Sequence, residues 1–172
     1  MEFSFMTHYD QRTMATLARV LRKTVRASYN RRLRMVGLFI VAFAIFLALP
    51  TGGRFSSLSL FTTLLPAVVI LLVMAYEDRI NGGFALRRIP REKRQVLSAF
   101  NDQGYRLANG SGDTVWRYDN IAQVAETPLY FVFLFDHSPA QLYDKTSLEG
   151  GTAEAFRGFI RERTGLEVQY IK

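Results

Sequence analysis

The spacing of hydrophobic residues changes character several times along this chain. Glu2 to Met6 reads as a short extended piece with Phe3 and Phe5 on one side. From about Gln11, Met14, Leu17, Ala18, Leu21 and Val25 fall at helical spacing, with Thr7 placed to cap the helix. Arg12, Arg19, Arg22, Lys23 and Arg26 cover its other side. Two uninterrupted apolar runs follow, MVGLFIVAFAIFLALP at 35–50 and FSSLSLFTTLLPAVVILLVMAY at 55–76, and neither contains a charge. Pro66 predicts a kink in the second helix, and Asn81-Gly82-Gly83 predicts its end.

Beyond residue 95 the period becomes that of strands. Segments near 96–100, 103–108, 113–118, 120–126, 129–136 and 139–144 are rich in Val, Ile, Phe, Tyr and Leu. Turn residues separate them, at Asn101-Asp102-Gln103-Gly104, Asn109-Gly110-Ser111-Gly112, Asp119-Asn120 and Asp136-His137-Ser138-Pro139. Their order predicts an antiparallel meander. Leu129 to Phe135 is apolar on both faces, so each face needs cover. Thr152 is placed to cap a helix with Ala153, Phe156, Phe159 and Ile160 on one face, Gly165 to end it, and Leu166 to Ile171 to add a last strand.

The mean hydropathy of +0.04 conceals this partition. A bilayer core of about 30 Å needs roughly 20 apolar helical residues, so the two runs predict a membrane-spanning hairpin. The resulting organisation is a basic strand and amphipathic helix at 1–34, transmembrane helices at 35–53 and 55–77, an external loop at 54–57, a basic linker at 78–94 and a domain at 95–172. A leader of 34 residues before the first run argues against a cleaved signal peptide.

The net charge is +7, and its basic excess flanks the two runs. The positive-inside rule then places both termini in the cytoplasm and the hairpin in the inner membrane. Arg22, Lys23, Arg26, Arg31, Arg32, Arg34, Arg87, Arg88, Arg91, Lys93 and Arg94 are the candidate contacts for anionic lipid at the inner leaflet. Nucleic acid is not expected, because these residues lack the context of a nucleic-acid module. The amphipathic helix itself has three readings: it lies on the leaflet, packs on the distal domain, or binds a partner. No ionisable group lies inside either run, which argues against a transporter or channel.

Chemistry is sparse. There are no cysteines, which excludes disulfides and thiolate catalysis. His8 and His137 stand far apart, and no metal-ligand spacing or cofactor motif occurs. Asp136-His137-Ser138 has the residue types of a triad, but consecutive turn residues cannot converge as one. Gly110-Ser111-Gly112 lacks the strand-to-helix setting of a nucleophile elbow. No catalytic residue, metal or cofactor is therefore expected. Trp116, the lone tryptophan, is either a groove anchor or a core residue, and Glu126 either orients a partner or caps a turn.

The hairpin, Val115-Trp116-Arg117-Tyr118-Asp119-Asn120-Ile121 running into Val124-Ala125-Glu126-Thr127, the aromatic strand Tyr130 to Phe135, the approach to Lys145 and the final helix together resemble the bacterial YcxB-like family. That family usually has a proline just before the lysine, where Asp144 stands here. The resemblance implies a C-terminal α+β domain similar to pleckstrin-homology-like modules, an antiparallel bent sheet closed by one helix, and it implies no enzyme. The resulting expectation is a non-enzymatic membrane-tethered protein that binds a protein partner or an inner-leaflet lipid. The alternatives are an immunity or stress-defence protein in the membrane, or an accessory subunit of a transport or signalling complex.

Overall fold

A computed structural model describes residues 2–48, 57–136 and 139–171. The loop expected at 54–57 lies almost wholly outside them, and so do His137 and Ser138 of the triad-like turn. The elements run β1 (Phe3–His8), α1 (Gln11–Lys23), α2 (Ala27–Ala48), α3 (Ser57–Arg87), β2 (Gln95–Phe100), β3 (Tyr105–Asn109), β4 (Gly112–Trp116), β5 (Gln123–Glu126), β6 (Tyr130–Leu134), β7 (Gln141–Asp144), α4 (Ala153–Thr164) and β8 (Val168–Tyr170).

The expected bent sheet with one closing helix is corrected to two four-stranded sheets. One has the order β1-β2-β3-β4 and is antiparallel throughout; the other has the order β7-β6-β5-β8, with β8 parallel to β5. The N-terminal piece is a working strand, paired along its length with β2 from Phe3↔Phe100 to His8↔Gln95. It also ties the sheets together. Ser4 exchanges backbone hydrogen bonds with Glu149, and the Thr7 hydroxyl accepts from the Asp144 amide at 3.1 Å.

The period of two in β6 explains the double core. Phe131 and Phe133 point between the sheets, against Phe3, Phe5, Phe100, Tyr143 and Phe156. Several of these rings meet edge-on, as Phe5 and Phe156 do at 4.7 Å, an arrangement the ring quadrupoles favour. Tyr130, Val132 and Leu134 point the other way, where Met14, Leu17 and Val20 of α1 cover them. Of the three readings of the amphipathic helix, packing on the distal domain is the one observed. Asp10, not Thr7, caps α1, accepting from the Thr13 amide at 2.7 Å. Thr152 and Gly165 cap α4 at its two ends, the glycine at φ 69°.

Helices occupy both apolar runs, but the expectation that they span a membrane is overturned. Among the described residues, no helix is long and apolar enough to cross one. Arg31, Arg32 and Arg34 occupy the first half of α2, while Glu77, Asp78 and Arg79 interrupt α3. The uncharged part of α2, Met35–Ala48, is about 20 Å long at about 1.5 Å per residue, against a hydrocarbon core of about 30 Å. The membrane and transmembrane assignments and the inner-membrane location with two cytoplasmic termini rested on those spans, and they fall with them.

Nor does Asn81-Gly82-Gly83 end α3, which continues to Arg87. Gly82 is instead where α1 crosses it: a Cβ there would lie 2.5 Å from the Ala15 amide nitrogen and 2.7 Å from the Met14 carbonyl carbon. Only a residue without a side chain permits that approach. Higher up, Gly37 of α2 receives Met74 of α3, whose sulfur would stand 3.1 Å from an added Cβ.

Candidate functional site: a charged junction beneath an apolar hairpin

The end of the second apolar run meets α1 through ion pairs. Arg22 Nε and Nη2 donate to the two carboxylate oxygens of Asp78 at 2.8 and 2.7 Å. Arg19 approaches the same carboxylate at 3.6 Å, and Arg34 of α2 reaches Glu77 at 3.4 Å. Burial alone would raise the Asp78 carboxyl, but the Arg22 hydrogen bonds and charge outweigh it and hold the group below the ordinary carboxylate range. Three helices are thereby locked where they converge on the sheets.

Above this junction α2 and α3 pair along one face, with Val41 and Ala67 buried between them. The rest of their circumference is open. Phe39 is 72% exposed, Phe46 67% and Phe61 64%, and Met35, Phe43, Leu72 and Tyr76 are exposed as well. Beside the junction, α1, α3 and the β5–β6 turn border an open cavity of about 710 Å³ that Arg12, Arg19 and Arg79 line.

The eleven basic residues expected to contact lipid do not form one belt. Arg22 and Arg34 are committed to Asp78 and Glu77. Arg94 caps the end of α3, donating to the carbonyls of Ile89 and Leu86 at 3.2 and 3.3 Å. Arg87 lies 5.9 Å over the Phe84 ring. Lys23, Arg26, Arg31, Arg32, Arg88, Arg91 and Lys93 are on the surface.

Glu126 is 3% exposed and faces inward. Arg157 of α4 donates to both of its oxygens at 2.7 and 2.9 Å, and Lys145 completes the cluster. The Lys145 ammonium also donates to the Thr127 carbonyl at 2.7 Å and sits 4.7 Å over the Phe131 ring. This carboxylate ties β5, the turn after β7 and α4 together. Trp116 is half-buried at the end of β4, between Tyr105 at 6.5 Å and Phe135 at 5.0 Å. Its indole Nε1 is buried with no hydrogen-bond partner among the described residues.

Arg12 and Arg79 were not singled out by sequence as a site. Arg12 and Arg19 carry a local signal, standing seven positions apart on the polar side of α1. Arg79 carries none, because its place beside them depends on the α1–α3 crossing at Gly82. Among the described residues no group of His, Asp or Glu is placed to hold a metal ion. In comparisons with known proteins, no family model matches the chain and no curated protein matches it.

Proposed function

We propose that this chain is a non-enzymatic interaction protein whose α2–α3 hairpin docks against apolar helices of a protein partner. One observation carries the reading: Met35–Ala48 of α2 and Phe61–Tyr76 of α3 hold no charged residue on any side, and they pair along one face while Phe39, Phe46, Phe61 and Leu72 stay exposed. A helix apolar on all sides is stable where it is buried, and a solitary protein seldom leaves more than a few hundred Å² of contiguous apolar surface uncovered. The hairpin is also held rigidly. The Asp78 ion pairs and the Gly82 crossing fix α3 to α1, which is itself packed on the second sheet.

The two-sheet body thus serves as a mount that aims the hairpin, as an accessory subunit of a larger assembly requires. The resemblance to the YcxB-like family supports the same layout, a helical pair followed by a small domain. Purification of the tagged chain from native extracts in mild detergent tests the proposal. A discrete complex holding other polypeptide in fixed proportion is expected; a chain recovered alone, with lipid or detergent as the hairpin's only cover, would overturn it.

A further inference from the structure

The cavity of about 710 Å³ beside the junction has walls of two kinds. Arg12 and Arg19 lie two turns apart on one face of α1, and Arg79 extends the same lining from α3. Pro128, Leu129 and Ile171 supply an apolar wall. Asp78 is the acidic residue among the lining, and both its oxygens are already bonded by Arg22, which does not line the cavity. Arg19 touches that carboxylate loosely, at 3.6 Å, and keeps half of its side chain exposed. Arg12 and Arg79 have no acidic partner among the described residues, and Arg79 rests 5.8 Å over the Tyr76 ring. The lining therefore presents uncompensated guanidinium groups beside an apolar surface.

We propose that this cavity binds a phosphate-bearing ligand with an apolar body. Guanidinium forks match the oxygen geometry of phosphate and bond it at two points each. Three such groups against one neutralised carboxylate favour a ligand with more than a single negative charge, and the wall of Pro128, Leu129 and Ile171 accommodates the uncharged part. A phospholipid headgroup and a free organic phosphate share this chemistry. The inference does not depend on what covers the hairpin, since α3 contributes only Asp78 and Arg79 to the lining, beyond the apolar stretch that ends at Tyr76.

The test uses the full chain in a neutral detergent, titrated with short-chain phosphatidic acid, with diacylglycerol as the uncharged control and glycerol 3-phosphate as competitor. Saturable binding of phosphatidic acid over diacylglycerol is expected. The double variant Arg12→Gln, Arg79→Gln should weaken it at least about tenfold, the loss expected for one charge-assisted hydrogen bond. Displacement by glycerol 3-phosphate assigns the site to the phosphate itself; resistance assigns it to the lipid. Equal binding of diacylglycerol, tighter binding of a polyglutamate peptide, or unchanged affinity in a variant that melts like the parent would each overturn the proposal. If the double variant melts lower, Arg12→Gln alone, at an exposed position, decides it by the same criterion.

Discussion

Glu126, which in sequence either orients a partner or caps a turn, is buried in the fold among cations of two other elements. Its partners, Lys145 and Arg157, lie on other elements and are brought to it only by tertiary folding. Removing one member of a buried ion cluster leaves the others unpaired. Glu126→Ala should therefore lower stability by about 3 kcal/mol, measured by urea denaturation. The pH dependence has a definite sign. Burial opposes ionisation, but the hydrogen bonds from Arg157 and Lys145 prevail and keep the folded-state carboxyl below its ordinary range. Its contribution is thus fully present above about pH 4.3, the unfolded value, and is lost as the pH falls through the folded value. Glu126→Gln should flatten that acid limb; an acid limb identical to the parent's would show the cluster has no such role. Trp116 was left between groove and core by sequence, and it lies partly buried in an aromatic layer with Tyr105 and Phe135.

At the scale of elements, periodicity was a good guide wherever a segment's own residues decide its conformation. The amphipathic stripe of α1, the strands after residue 95 and the capped α4 all follow local pattern and cap chemistry. The glycine pair in α3 was misread because a helix-breaking residue and a helix-crossing residue look alike in sequence. Space distinguishes them. A Cβ at Gly82 meets the α1 backbone, whereas one at Gly83 meets nothing within 4 Å. Gly82→Ala should therefore cost about 1–3 kcal/mol through forced separation of α1 and α3. Gly83→Ala, in the same helix, should gain up to about 1 kcal/mol from helix propensity. Thermal denaturation of the two variants side by side checks the contrast, and equal effects would remove the crossing as a determinant of the fold.

For the molecule as a whole, the most instructive feature is the use made of its N-terminal residues. Phe3 and Phe5 were legible as a one-sided extended piece, but pairing β1 with β2 joins residues separated by three helices, and no local signal carries that partnership. The apolar runs were equally legible as helices. They are bounded by Arg34 at one end and by Glu77-Asp78-Arg79 at another, and Arg34, Glu77 and Asp78 turn out to belong to the ion-paired base of the hairpin. What results is an apolar helical pair whose base is ion-paired to a helix packed on the second sheet.

The absence of cysteine makes the central proposal directly testable. Single variants Phe43→Cys and Leu72→Cys place one thiol on the exposed surface of each helix, and Glu162→Cys places one on exposed α4 as a control. Treatment of native extracts with a short bis-maleimide should trap the two hairpin variants, but not the control, in covalent products that contain another polypeptide. Hairpin thiols that react without ever joining a second chain would contradict the account.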